Sequence, residues 1–326
     1  MRVRVGIDGM GHRGRHLLRT LVDRGDPDFD VVAVRDDAPA ARLAERLHHD
    51  STHGTWPHRL EVVGDHLGID DTTVRVLHDV HPRWQAADVE VVVVTEGDVD
   101  PRVLLAHGVR AVLITGVGAD GDLTVLCGLN EDGYDAVRHQ VVAVPSAAAT
   151  CAALLLEPLH RAFEVVSAVV TSIEGHISPV AAPDDPRLLR ERAVNVVPTR
   201  SPVGAEVGAV LPDLDGRVAG AALRVPVVDT GLVEVTARLT APVTVGQVGR
   251  VLRNAAEGPF KGLLTVTSEP TVSRDVLGAA ESCRADLGTV ETTGELVRIL
   301  GWHDPETAQA HRVADLLGLV SRLLPR

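Results

Sequence analysis

A cysteine thiolate is a potent nucleophile, and the chain has three cysteines, Cys127, Cys151 and Cys283. No C-x-x-C pair joins them into a disulfide framework or zinc site, so reduced thiols are expected. Cys151 lies in the run V-P-S-A-A-A-T-C-A-A-L-L-L-E-P-L-H. A free cysteine in such an apolar stretch also serves well as a small buried hydrophobe, so the local sequence leaves nucleophile and core residue both open. A second constellation is G-I-D-G-M-G-H-R-G, where Gly9, Gly11 and Gly14 form G-x-G-x-x-G after a strand and before a helix. Glycines there permit a tight turn and the close approach of backbone to a pyrophosphate, which sits on the unpaired N–H groups of the helix start. Met10, His12 and Arg13 fall within the same loop, and Asp36 follows 22 residues after Gly14, where a carboxylate accepts hydrogen bonds from a ribose hydroxyl pair. These residues predict NAD binding, with Arg13 and Arg35 keeping NADP open. The stretch H-H-D-S-T-H-G gathers three histidines and an aspartate, but His48 and His49 point different ways on a helix, and no distant ligand set completes a tetrahedral site. No metal is expected.

The elements that must position these groups read as two domains. At 326 residues the chain is long enough for two cores. Its apolar share of 45% and charged share of 24% exclude disordered and fibrous classes, and 2% aromatics leave Val, Leu and Ala to fill the interior. The net charge of −13, with no basic cluster, disfavours nucleic acid. No uninterrupted apolar run reaches the ~18 residues of a membrane span, and the N-terminus enters a strand without an apolar leader, so a cytoplasmic protein with no membrane partner is expected.

R-V-R-V-G-I predicts a strand, H-R-G-R-H-L-L-R-T-L-V-D-R-G a helix closed by Gly25, F-D-V-V-A-V-R-D-D a second strand and A-R-L-A-E-R-L-H-H-D a short helix. V-E-V-V-V-V-T-E-G and R-A-V-L-I-T-G are continuous apolar runs bounded by glycine, as strands buried on both faces of a parallel sheet require. The first places Thr95 and Gly97 at a strand end beside the glycine loop. This is a doubly wound α/β half over residues 1–150. From 151 to 306 the runs F-E-V-V-S-A-V-V-T-S-I-E-G-H-I, A-A-L-R-V-P-V-V, G-L-V-E-V-T-A-R-L-T and L-L-T-V-T-S-E-P-T-V alternate with period two and predict a mixed or antiparallel sheet. The amphipathic helix V-T-V-G-Q-V-G-R-V-L-R-N-A-A-E-G lies between two of them. A last helix over 307–326, with Val313, Leu316, Leu317, Val320, Leu323 and Leu324 at helical spacing, is expected to pack on the first domain.

The chain resembles the glyceraldehyde-3-phosphate dehydrogenase family in V-G-I-D-G-M-G-H-R-G-R, H-D-S-T-H-G, V-V-P-T-R-S-P-V-G-A-E-V-G, A-A-E-G-P-F-K-G-L-L and G-W-H-D-P-E-T-A-Q-A-H-R-V-A-D-L, in the family's order and near its spacing. The resemblance implies a Rossmann-type NAD domain, an α+β catalytic domain and a homotetramer. It also implies an aldehyde substrate, phosphorylated or otherwise anionic, attacked by a cysteine to give a thiohemiacetal and then a thioester. T-C-A-A-L-L-L-E-P-L aligns without a gap on S-C-T-T-N-C-L-A-P-L and puts Cys151 on the family's nucleophile, at a helix N-terminus whose positive end favours the thiolate. Thr150 and the Cys151 backbone N–H are then the oxyanion stabilisers, and Arg224 and Ser201 the anion contacts.

The departures bear on the chemistry. Ala152, Ala153 and Leu154 replace the family's Thr-Thr-Asn, and Ser201 to Glu206 replace S-T-G-A-A-K, which thins the inorganic-phosphate site. In W-H-D-P-E, Pro305 stands where the family's asparagine holds the nicotinamide amide, and Gln309 replaces a later tyrosine. Glu174 stands where the family has its catalytic histidine, with His176 two residues on and on the same strand face. Either is the expected base, Glu174 by activating water on a thioester. The alternatives are a paralogue that binds nucleotide without hydride transfer, and a cysteine enzyme of non-redox acyl transfer or cyclisation.

Overall fold

The computed structural model describes residues 2–79, 82–96, 99–115, 121–175, 187, 190 and 194–325. The chain divides into two compact units, one formed by residues 1–127, 131–144 and 310–326, the other by 128–130 and 145–309. Apart from residues 128–130, the chain passes from the first unit to the second at 144/145 rather than at 150. A helix that includes Thr150 and Cys151 begins at Ala147, and a boundary at 150 would cut through it.

In the first unit, β1 (Val3–Asp8) leads through α1 (His12–Arg24) to β2 (Phe29–Arg35) and α2 (Ala40–His48). A two-residue ribbon, β3 (His49–Asp50) and β4 (Gly54–Thr55), precedes β5 (Leu60–Val63), β6 (His66–Ile69) and β7 (Thr72–Leu77). Then come β8 (Val91–Val94), α3 (Pro101–Ala106), β9 (Ala111–Thr115), β10 (Leu123–Thr124) and β11 (Val141–Val144). The nine-stranded sheet has the order β10-β11-β9-β8-β1-β2-β7-β6-β5. It is parallel from β10 to β7, and β5 and β6 are added antiparallel. β8 is Val-Val-Val-Val with every residue buried, as a central parallel strand covered on both faces must be. The chain runs outward from β1 to β2 on one side and resumes at β8 on the other, so strand order reverses at β1, the position where doubly wound sheets take nucleotides. α1 buries Leu17, Leu18 and Leu21 and ends where Gly25 adopts φ 57° and its N–H reaches the carbonyls of Leu21 and Val22.

The second unit opens with α4 (Ala147–Phe163), then β12 (Val165–Glu174), β13 (Val197–Arg200), α5 (Val203–Val210), β14 (Val218–Arg224), β15 (Gly231–Leu239), α6 (Val245–Glu257), β16 (Leu264–Thr267), β17 (Cys283–Thr293) and β18 (Leu296–His303). Its seven-stranded mixed sheet has the order β13-β14-β12-β15-β18-β17-β16. Alternate residues of β15 (Val233, Val235, Ala237, Leu239) and β18 (Val297, Ile299, Gly301, His303) are buried. α4 packs over β12, β15, β17 and β18. It is apolar nearly all round, from Ala148 to Leu159, as a helix sunk in a core must be. The Ser146 hydroxyl accepts the Ala149 N–H and caps its start. The hairpin of β17 and β18, turning at Gly294 with φ 58°, adds two long strands to those anticipated. α7 (Thr307–Leu323) spans the chain's return from the second unit, between Gln309 and Ala310, and its Val313, Leu316, Leu317 and Val320 lie in the core of the first unit.

Candidate functional site

The glycine loop is built as an anion cradle. Gly9 has φ +99°, which side chains resist. A Cβ at Gly14 would stand 1.9 Å from the Gly9 carbonyl oxygen, so only glycine lets α1 start this close to the loop. Gly11 caps α1 without any side-chain hydrogen bond, which leaves the first-turn N–H groups to a ligand or water. Thr95 braces the loop by donating to the Gly9 carbonyl at 2.6 Å, and Met10 is buried beside it. Asp36 follows β2 directly in a buried position, accepts the Ala38 N–H at 2.7 Å and faces Arg46 at 3.6 Å. Arg35 is committed to Asp8 and, at 3.2 Å, to Asp37. His12 faces Asp50 at 3.4 Å, and Arg13 is exposed. Gly97 lies outside the described residues. The space that a Cβ on Gly11 would fill holds the Glu96 carboxylate, whose oxygens come within 2.0 Å of that position. The residues present therefore fit a dinucleotide pyrophosphate, with an exposed carboxylate lying in its cradle.

In the second unit the register of the sheet assembles the chemistry. Arg224 on β14, Glu174 on β12, Gly231 on β15 and His303 on β18 are successive partners in one row across four strands. Paired residues project to the same face of a sheet. The glycine makes room, because a Cβ on Gly231 would come 2.5 Å from the His303 ring. The next row on that face runs Ser172, Val233, Gly301 and Ala285. Here α4 sets its sulfur down: a Cβ on Gly301 would lie 2.8 Å from the Cys151 Sγ and 2.9 Å from the Cys283 Sγ.

Cys151, Cys283 and His303 are almost completely buried. Burial alone pushes the Cys151 thiol up, but hydrogen bonding from the Cys283 thiol and from His303, with the charge of His303, outweighs it and pulls the thiol down to about 6. The His303 imidazole is pushed down by burial and, more strongly, held up by the Cys151 sulfur, by Glu174 and by Asp304. Cys283 moves well above the ordinary thiol range through burial and its contact with Cys151. The pocket therefore favours a Cys151 thiolate beside an imidazolium, with Cys283 as a neutral donor. Both ring nitrogens of His303 lack a partner of good hydrogen-bond geometry, so its contact with the sulfur is a loose one. The Thr150 hydroxyl, fully buried next to Cys151 in the chain, also has no partner among the described residues.

The carboxylate and arginine expected to serve as base and anion clamp are bound to each other. Glu174 Oε2 lies 2.6 Å from Arg224 Nη1, which also donates to the Gly175 carbonyl at 3.4 Å. The Ser201 hydroxyl accepts the Val203 N–H at 3.3 Å. Glu206 is raised by burial, opposed by hydrogen bonds with Ser146 and reinforced by Glu174. Among the described residues, Arg224 is thus already answered by Glu174, and Glu206 lies close enough to Glu174 to feel its charge, where the resemblance implies an anion site. His176 lies outside the described residues. Pro305 is half-buried in the turn after β18, where Asp304 accepts the N–H groups of Glu306 and Thr307, and Gln309 donates to the Pro145 carbonyl at 2.9 Å.

Residues 3–100 match the glyceraldehyde 3-phosphate dehydrogenase NAD binding domain, and residues 146–305 match the C-terminal domain of the same family. The chain belongs to the glyceraldehyde-3-phosphate dehydrogenase family. It is similar to the glyceraldehyde-3-phosphate dehydrogenase of Geobacillus stearothermophilus, 34% identical over 98% of this chain and 99% of that protein. It is likewise similar to glyceraldehyde-3-phosphate dehydrogenase 1 of Streptomyces avermitilis (34%, 99% of this chain and 100% of that protein) and glyceraldehyde-3-phosphate dehydrogenase 1 of Bacillus subtilis (33%, 99% of both). The α/β architecture and the NAD cofactor follow from this membership. Within the family's W-Y-D-N-E motif, His303 stands at the tyrosine. It is the residue that sequence reasoning passed over, and its signal was G-W-H, a glycine and a histidine two apart and so on one face of a strand.

Proposed function

We propose that the chain is an NAD-dependent aldehyde dehydrogenase in which Cys151 is the nucleophile and His303, in place of Glu174 or His176, manages its proton. The observation that carries this reading is the buried niche in which the sheet register brings Cys283 and His303 to the Cys151 sulfur, neighbours that outweigh burial and draw the thiol down to about 6. A thiolate poised at that value attacks an aldehyde carbon at neutral pH to give a thiohemiacetal. α4 begins at Ala147, so Cys151 lies a full turn inside the helix rather than at its N-terminus, and its N–H belongs to the helical ladder rather than to an oxyanion. The unpartnered Thr150 hydroxyl is the donor left for the developing oxyanion, and the imidazole accepts the hydroxyl proton as the carbonyl re-forms in the thioester. NAD, when bound, supplies the hydride acceptor. Gly9, Gly11, Gly14, Asp36 and Thr95 would hold it. Arg35, tied to Asp8 and Asp37, is spoken for, which argues against a 2′-phosphate and for NAD over NADP.

Because Glu174 answers the charge of Arg224, a phosphate on the aldehyde would have to displace a carboxylate. We therefore place the substrate among small aldehydes without a phosphate. A homo-oligomer, a tetramer by resemblance, is the working assembly. The second reading, a paralogue without hydride transfer, is favoured by the complete burial of the Cys151 sulfur and by the carboxylate in the cradle. An aldehyde panel that includes glyceraldehyde 3-phosphate, followed by nicotinamide absorbance with and without phosphate or arsenate, separates the two. Turnover lost in Cys151→Ser supports the dehydrogenase, and acceleration by phosphate marks phosphorolysis rather than hydrolysis. No reduction of NAD with any aldehyde by a folded, NAD-binding protein overturns it.

A further inference from the structure

The dehydrogenase chemistry uses Cys283 only as a neutral neighbour that favours the Cys151 thiolate, yet β17 begins with this second thiol beside the reactive sulfur. Its register explains the meeting. Ala285 pairs with Gly301, and Cys283, two residues earlier, projects to the same face. There Gly301 offers no side chain, and both sulfurs settle against its backbone, 2.8 and 2.9 Å from where a Cβ would be. Their proximity lowers the Cys151 thiol and raises Cys283, which leaves the shared proton on Cys283. The third cysteine, Cys127, belongs to the other unit.

We propose that Cys283 is the resolving thiol of a reversible Cys151–Cys283 disulfide, formed when a hydroperoxide oxidises Cys151 in the niche that both sulfurs share against Gly301. In the first step the Cys151 thiolate attacks the peroxide. An S–O bond forms, the O–O bond breaks, Cys151 becomes a sulfenic acid, and the departing hydroxide takes the proton of the His303 imidazolium to leave as water. In the second step the Cys283 thiol attacks the sulfenic sulfur. The S–S bond forms, the S–O bond breaks, and the hydroxyl leaves as a second water with the thiol's proton. Two thiols are oxidised and one peroxide is reduced to two waters. Hydrogen peroxide, with two heavy atoms, is smaller than any aldehyde of two or more carbons, so whatever opening admits such a substrate to this buried sulfur admits the oxidant. The disulfide blocks the nucleophile and spares it the irreversible sulfinic stage. The proposal shares with the proposed function only the Cys151 thiolate and needs neither NAD nor aldehyde.

The test is oxidation of the full chain with stoichiometric hydrogen peroxide, followed by acid quench, alkylation and non-reducing peptide mass spectrometry. The expected result is a peptide linking Cys151 to Cys283, with Cys127 alkylated as before and both thiols recovered by dithiothreitol. Cys283→Ser should instead accumulate a dimedone-reactive sulfenic acid at Cys151 and pass to sulfinic acid that dithiothreitol does not reverse, while Cys127→Ser should behave as the parent chain. The proposal is overturned if the parent chain accumulates sulfenic or sulfinic acid at Cys151 with Cys283 still alkylated, if the disulfide forms to Cys127, or if all three thiols survive. The parent map suffices should Cys283→Ser fail to fold. Aldehyde turnover without the disulfide sinks this proposal alone, and the disulfide without turnover sinks the dehydrogenase alone.

Discussion

Both units use missing Cβ atoms to make room, but for different occupants. In the first, the missing Cβ of Gly14 lets the Gly9 carbonyl close on the start of α1, so that backbone N–H groups are left for something the chain does not itself supply. In the second, Gly231 and Gly301 clear space for groups the chain does supply, the ring of His303 and two sulfurs. The first arrangement is a local turn that tolerates change elsewhere in the sheet. The second depends on the register of five strands and one helix, so it is stiff, and its reactive groups are sealed and tuned by one another. The lesson is that the first unit keeps the family's glycine fingerprint, whereas the second gathers Cys151, Cys283 and a histidine on β18 in one buried niche.

Replacing His303 by Gln should break the second arrangement most. Removal of the imidazole is expected to lower turnover roughly 10²- to 10⁴-fold, the usual reach of a general acid or base. The sign of the pH effect is fixed: with the thiol drawn down to about 6, the thiolate dominates above that pH. The variant should therefore need a higher pH for its residual rate, whereas a merely structural loss would leave the profile's position unchanged. Gly301→Ala comes next. Its methyl would meet both sulfurs inside van der Waals contact, and overpacking of this kind costs about 1–3 kcal/mol, which a lower melting temperature will report together with a higher apparent Cys151 pKa.

Glu174→Gln sharpens the reading of substrate charge. It unties Arg224, and the freed guanidinium should gain roughly tenfold in affinity for inorganic phosphate, the scale of about 1.5–3 kcal/mol for a charged hydrogen bond. Isothermal titration checks this, and equal phosphate affinity in parent and variant would show that the ion pair does not gate the site. The smallest effect belongs to the first unit. Glu96→Ala clears the carboxylate from the cradle at Gly11, and NAD should bind a few times more tightly, in line with the 0.3–1 kcal/mol of a charge at a helix end. A protein-fluorescence titration reads it.

What the sequence discloses divides along the same line. The glycine loop, α1, β2 and Asp36 are legible because their signals are local: turn glycines, helical spacing and a strand end within 36 residues. Cys151 is legible only through resemblance, since its helix is apolar on every side. The row Arg224, Glu174, Gly231 and His303 is not legible, because residues 50 or more apart in sequence must pair before they become neighbours. Glu174 and Arg224 each looked available on their own, and it is their pairing across β12 and β14 that commits them to each other. The β17–β18 hairpin passed unnoticed because Gly301 and the charged residues along it interrupt its alternation, and with it went both His303 and the place of Cys283.

The pH dependence of Cys151 alkylation, followed by peptide mass spectrometry in the parent chain and in His303→Gln, tests the central claim most directly. The account predicts a rate that rises through about pH 6 in the parent and shifts toward the ordinary thiol range of ~8.5 in the variant, with Cys127, pushed up to about 12 by burial, remaining slow in both. A parent profile centred near the ordinary thiol value and unmoved by the substitution would contradict it.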